Sequence, residues 1–142
     1  MRLFGHPVHV MLVHFPIALW PAHAALHFFA TRLPAGVSAI AGFWLLAAGT
    51  LLGWLAAACG LADAWELARA NEQRQVRRGL MHGAINGGVL LAFTVLAAVE
   101  YARYPAIEHG LGILFAEVAL LLLMVGGNFV GGTIIWAPRS DP

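Results

Sequence analysis

The sequence predicts an all-α fold, a four-helix transmembrane bundle, from its composition and from four long apolar segments. Of its 142 residues, 61% are hydrophobic and only 11% are charged, whereas a soluble domain carries roughly 25% charged residues. A helix that crosses a bilayer needs about 20 predominantly apolar residues. Four segments meet this requirement, at about residues 8–30, 38–61, 80–101 and 111–135.

The segments between these helices predict a single membrane domain with a defined orientation. Residues 31–36 and 103–108 form short turns, and residues 63–78 form a polar loop whose composition favours a short surface helix. An even number of spans places both termini and this loop on one side. That side carries six arginines and the other carries two, which predicts that both termini are on the cytoplasmic side of the membrane. The six are Arg2, Arg69, Arg74, Arg77, Arg78 and Arg139, and the two are Arg32 and Arg103.

Composition also limits the class of function. The apolar composition predicts lipid contact, and the net charge of only +1 implies no general affinity for nucleic acid. The single cysteine, Cys59, allows no internal disulfide, and the chain lacks a Cys-x-x-Cys-His site for covalent haem. It shows no phosphate-binding loop and no Ser-His-Asp arrangement, which disfavours hydrolytic catalysis.

Histidines are concentrated at the start of the first helix and recur at the start of the third. Ionisable residues within membrane segments are costly, and they are functional-site hypotheses by default. The predicted topology groups these histidines with an aspartate and an asparagine in one polar layer near the cytoplasmic face. The layer consists of His6, His9, His14, Asp63, His82 and Asn86.

The first interpretation of this layer is a b-type haem held between helices one and three. His14 and His82 are the predicted axial ligands, with His9 as the substitute for His14. An axial imidazole needs an acceptor for its second ring nitrogen, and Asp63 and Asn86 are the candidates. The protein would then carry electrons rather than act as a stand-alone enzyme.

The surroundings of this haem predict the partners. His6 is predicted to face a haem propionate or a quinone. A redox protein would supply or accept the electrons, and a second copy of the chain is also a candidate partner. Glycines lie four residues apart on three helices, where they let helix backbones approach closely. These are Gly49 and Gly53, Gly79, Gly83 and Gly87, and Gly127 and Gly131.

Two other interpretations remain open for the same layer. His6, His9, His82 and Asp63 would bind zinc, copper or iron directly in a metal-binding or transport protein, since imidazole suits all three metals. Alternatively, the chain is a structural or assembly subunit whose histidines bind no cofactor.

A second polar layer is predicted near the outer face. His23 and His27 are four residues apart on one helix face, a spacing able to chelate a metal. Glu117 would join them if helices one and four touch, and Glu100 and His109 lie at a similar depth. The alternative for this layer is a polar patch at the membrane interface.

The first motif, residues 5–19, resembles the opening of the bacterial DUF2231 membrane proteins. It reads Gly-His-Pro-x-His-x-x-x-x-His-Phe-Pro-Ile-Ala-Leu. Residues 60–65, 82–86 and 131–135 also resemble segments of that family. All four segments fall at the cytoplasmic end of the predicted bundle, which favours one site built from all four helices.

The resemblance implies a four-helix integral membrane domain and names no reaction. Val10 stands where the family often has proline, and Trp136 stands where tyrosine is common, so neither departure removes a candidate ligand. Members fused to Rieske iron–sulfur modules look like electron-transfer proteins, which favours the haem interpretation by analogy.

Overall fold

The computed structural model describes residues 2–3, 6–34, 36–70, 73–108 and 110–135. The described residues form four long helices, preceded by two short strands that pair antiparallel. The helices are α1 (Val8–Phe28), α2 (Val37–Arg69), α3 (Gln73–Arg103) and α4 (Leu111–Ile135), the strands are β1 (Arg2–Leu3) and β2 (His6–Pro7), and one 3₁₀ turn spans Ala30–Arg32. The predicted all-α class with four apolar helices is therefore confirmed.

The helices pack in chain order into a closed bundle. α1 packs on α2, α2 on α3 and α3 on α4, and α4 contacts α1. Short connections make consecutive helices antiparallel. We call the end of the bundle where α1 begins and where α2 leads into α3 the N-terminal end. The opposite end holds the connections from α1 to α2 and from α3 to α4.

Residues 63–78 differ most from the sequence expectation. In place of a polar loop with a short surface helix, α2 continues to Arg69 and α3 begins at Gln73. The segment is rich in Ala, Leu, Glu and Arg, which are strong helix formers. It contains no proline, so both membrane helices extend beyond the apolar stretch that predicted them.

The outward faces of the helices are apolar. All four helices are long and apolar enough to cross a membrane. Large side chains such as Trp44, Leu61, Phe115 and Phe129 are exposed on the bundle surface. A soluble protein rarely exposes apolar surface on this scale, and a lipid environment accounts for it. The chain is a multi-pass membrane protein.

The centre of the bundle is a buried aromatic and aliphatic core. Trp20 of α1 stacks on Phe93 of α3, with ring centres 4.3 Å apart and planes 17° apart. Leu46 and Phe93 are fully buried, and Met124 of α4 joins the same cluster. This core separates the polar residues at the two ends of the bundle.

Gly49 allows α1 and α2 to approach closely beside Trp20. A Cβ atom added at Gly49 would lie 2.9 Å from Cδ1 and Nε1 of Trp20. We expect Gly49→Ala to destabilise the bundle by about 1–3 kcal/mol, because a packed interface must open to admit the methyl group. Thermal unfolding in detergent measures this effect.

Gly88→Ala is the matched control for that substitution. A Cβ atom added at Gly88 would meet no heavy atom within 4 Å, so its stability should stay the same or rise slightly with the helix propensity of alanine. Equal stability of Gly49→Ala and the unsubstituted protein would contradict the described packing of α1 on α2.

Candidate metal centre

Four ionisable side chains are buried together at the opposite end of the bundle. His23 and His27 come from α1, Glu100 from α3 and Glu117 from α4. None of the four is more than 7% exposed. Charged groups inside a membrane bundle are expensive to bury, and they mark ion sites or proton relays.

Helix geometry explains why these four residues meet. His23 and His27 are separated by one helical turn, so both point from the same face of α1. Glu100 lies in the last turn of α3, and Glu117 lies in the second turn of α4. Because α3 and α4 are antiparallel and joined by a short connection, both carboxylates lie at the same end of the bundle.

The donor atoms of the four residues lie close enough to share one ion. Nε2 of His23 is 3.4 Å from Oε1 of Glu100 and 3.3 Å from Oε1 of Glu117. Nδ1 of His27 is 2.9 Å from Oε1 of Glu117, and its Nε2 is 3.8 Å from Oε1 of Glu100. One ligand atom from each residue lies within 4.8 Å of all the others.

A hydrogen bond to α2 determines how His23 presents its ring. Nδ1 of His23 lies 2.9 Å from the carbonyl oxygen of Gly42. A carbonyl only accepts, so this nitrogen carries the hydrogen and Nε2 of the neutral ring keeps its lone pair. That nitrogen lies beside the carboxylates of Glu100 and Glu117, an arrangement that can hold a cation or share a proton.

Two of the separations in the cluster match those expected around a tetrahedral ion. With metal–ligand bonds of about 2.0–2.1 Å, the ligand atoms of a tetrahedral site are about 3.3–3.4 Å apart. The two contacts of His23 Nε2 with the carboxylates, at 3.4 and 3.3 Å, have this length. The contacts of His27 with the carboxylates, at 2.9 and 3.8 Å, lie on either side of this length, so the side chain of His27 would have to shift for all four residues to bind one tetrahedral ion.

The family model described as "Predicted membrane protein (DUF2231)" matches residues 5–139. The chain belongs to the DUF2231 family. No curated protein matches the sequence, and no solved structure matches it. Family membership therefore confirms the resemblance and the membrane class of this DUF2231 protein, and its chemistry depends on its own residues.

The structure places His9 opposite His82 in this DUF2231 protein. Their ring centres are 6.1 Å apart. His14 is exposed, and its Nδ1 donates a hydrogen bond to the carbonyl oxygen of Val10 in the same helix, at 2.6 Å. His14 points about 140° away from His9 around α1, so the structure does not bring it to His82.

The remaining predicted ligands lie around the same pair or outside the described side chains. The amide of Asn86 contacts His82 within α3. Asp63 is half-buried on α2, one turn from Gly60, which packs on His9. The side chain of His6 and the whole of His109 lie outside the described residues.

Sequence reasoning reached the His23 cluster only in part. It paired His23 with His27 and made Glu117 conditional on contact between helices one and four, and this contact is present in the DUF2231 bundle. It left Glu100 as a member of the outer polar layer and assigned it no role. The available signal was the rarity of acidic residues inside apolar helices, which applies equally to Glu100 and Glu117.

Proposed function

We propose that this protein is an integral membrane metal-binding protein, and that the His23 cluster holds a permanently bound divalent ion of a first-row transition metal. The observation that carries this proposal is the convergence of two imidazoles and two carboxylates from three helices within 4.8 Å. Each side chain is nearly inaccessible to solvent, so an ion enters only when the helices separate. This burial favours a resident ion over one in transit.

Charge balance supports a divalent cation at this position. Two carboxylates in a low-dielectric interior carry a large desolvation penalty unless they are paired. One divalent ion cancels both charges while the imidazoles remain neutral. The resulting complex has no net charge, which suits a site enclosed by membrane-spanning helices.

The donor set narrows the class of metal. Calcium and magnesium bind through oxygen ligands, whereas half of the donors here are imidazole nitrogens. Imidazole suits zinc, copper, iron and nickel, and carboxylate is compatible with the harder ions among these. Zn²⁺ and Fe²⁺ satisfy both requirements, and tetrahedral Zn²⁺ fits the separations at His23 best.

Elemental analysis of the detergent-purified protein tests the proposal. After loading with Zn²⁺ or, without oxygen, Fe²⁺, and removal of the excess, we expect about one ion per chain. The bound ion should raise the midpoint of thermal unfolding, because only the folded bundle assembles the four ligands.

The double variant His23→Ala/His27→Ala serves as the comparison for this experiment. It should bind neither metal and show no thermal response to either. Less than about a tenth of an ion per chain in the unsubstituted protein, with no thermal response, would reject the metal centre. That result would favour the cofactor-free structural subunit instead.

We also infer that the His23 cluster faces the outer side of a bacterial inner membrane. The arginine distribution supports this orientation, since the residues beyond the N-terminal end of the bundle carry most of the positive charge. The His9–His82 pair would then lie near the cytoplasm.

A further inference from the structure

A second pair of ligand-type side chains lies at the N-terminal end of the bundle. The ring centres of His9 on α1 and His82 on α3 lie 6.1 Å apart, and the ring planes are 89° apart. Both side chains are half-buried, so they are held by the bundle and remain reachable from its surface. Along α1, His9 lies about 21 Å from His23, so the two clusters form separate sites.

Both rings are oriented by backbone carbonyls of neighbouring helices. Nδ1 of His9 lies 2.7 Å from the carbonyl oxygen of Ala56, and Nδ1 of His82 lies 2.8 Å from that of Gly127. Each Nδ1 therefore carries the hydrogen, and each Nε2 keeps its lone pair on the other side of the ring. Metal-ligating histidines are held by this same kind of hydrogen bond.

Asn86 restricts the ring of His82 from within α3. Its amide nitrogen donates to the backbone carbonyl of His82 at 3.2 Å and lies 3.2 Å from Nδ1 of the ring. Because Nδ1 already donates to Gly127, the amide acts by limiting the rotation of the ring.

Two glycines bring the backbones of α2 and α4 against the two rings. An added Cβ atom at Gly60 would lie 2.9 Å from Cε1 of His9, and one at Gly131 would lie 2.6 Å from Nδ1 of His82. All four helices therefore contribute to the position of the pair.

The separation of the rings distinguishes two coordination geometries. Two imidazoles on opposite sides of one metal have ring centres about 6.4 Å apart, and two at the corners of a tetrahedron have centres about 5.2 Å apart. The observed 6.1 Å is closer to the first. Opposite imidazoles are found on haem iron, and they also suit a two-coordinate cuprous ion.

We propose that His9 and His82 bind opposite sides of one metal centre through their Nε2 atoms, the metal being the iron of a b-type haem or a bare cuprous ion. The proposal does not depend on the His23 cluster, and each site has its own variants. Haem iron and a cuprous ion can both be bound by two opposed imidazoles. The experiment below identifies which of the two this site binds.

The test loads the detergent-purified full-length protein separately with ferric protoporphyrin IX and with Cu⁺. A pyridine haemochrome assay counts haem, and elemental analysis counts copper. We expect one of the two probes to bind at about one per chain. Its retention should fall at least about tenfold in His9→Ala and in His82→Ala.

His14→Ala is the matched control, because His14 lies on the same helix and is exposed. It should retain the probe. Loss in His14→Ala with retention in His9→Ala would overturn the assignment, as would failure of both probes to bind the unsubstituted protein. Retention in both His9→Ala and His82→Ala would overturn it as well.

Spectroscopy of the unsubstituted protein keeps the proposal testable if the alanine variants do not fold. Opposed imidazoles with perpendicular planes should give a highly anisotropic low-spin electron paramagnetic resonance spectrum for ferric haem. For copper, X-ray absorption should show two nitrogen neighbours. A high-spin ferric spectrum, or a copper site with other than two nitrogen neighbours, would reject the proposed coordination.

Discussion

Replacement of Glu117 by Gln is expected to abolish metal binding at the His23 cluster. The substitution keeps the size of the side chain and removes one of the two negative charges that balance the ion. Glu117 contacts both histidines, so its loss disturbs every ligand on α1. We expect the dissociation constant for Zn²⁺ to rise at least about 100-fold, as measured by competition with a chromophoric chelator.

The metal-free form of the same variant has a different expectation. Without a cation, both carboxylate oxygens of Glu117 lie within hydrogen-bond distance of Nδ1 of His27, at 2.9 and 3.1 Å, and a glutamine keeps one oxygen that can accept this hydrogen bond. A stripped Glu117→Gln protein should therefore unfold close to the temperature of the stripped unsubstituted protein. Similar stability without metal, together with lost affinity for Zn²⁺, separates loss of a ligand from general damage to the fold.

Glu108→Gln provides the control, since Glu108 is exposed in the connection between α3 and α4. It removes the same charge from the same end of the bundle, and it should leave the affinity for Zn²⁺ unchanged. Equal affinities of Glu117→Gln and the unsubstituted protein would exclude Glu117 as a ligand.

Replacement of Phe93 by Ala is expected to cause the largest loss of stability outside the metal centre. Phe93 is fully buried, and its ring stacks on Trp20 at the middle of the bundle. In soluble proteins such a truncation costs about 3–5 kcal/mol. Lipid is as apolar as a protein core, so here only packing is lost, and we expect about 2–3 kcal/mol.

Phe129→Ala is the comparison, because Phe129 has the same side chain and is 78% exposed on α4. Chemical denaturation in mixed micelles should show little change for this variant. If the two variants lose stability equally, the contact between Trp20 and Phe93 does not hold the helices together. The aromatic core would then have no special part in keeping the two polar ends apart.

Much of the architecture could be predicted from local sequence properties. Apolar length predicts helices that cross a membrane, because no backbone polar group can remain unsatisfied in lipid. The start of α1 at Val8 and the whole of α4 agree with this reasoning. The C-terminal end of α2 and the N-terminal end of α3 do not agree with it. Hydropathy marks only the apolar part of a helix, whereas α2 continues to Arg69 and α3 begins at Gln73 in polar sequence.

The choice between His9 and His14 as the partner of His82 could not be made from the sequence of one helix. Periodicity placed His9 and His14 on different faces of α1, and it could not decide which face points inward. That choice depends on how Trp20 and the glycines of α2 pack, and these contacts turn His9 toward His82. The role of this pair in binding a cofactor stays a prediction.

By itself, the sequence determined the class of the protein, its four helices and the placement of His9 and His82 near one end of the bundle and of His23 and His27 near the other. These properties follow from composition and from spacing along one chain. Only the tertiary structure decided that Glu100 joins Glu117, His23 and His27, because a contact between α1, α3 and α4 depends on the rotation of each helix about its axis. That rotation is set by side-chain packing between helices, which no single helix encodes.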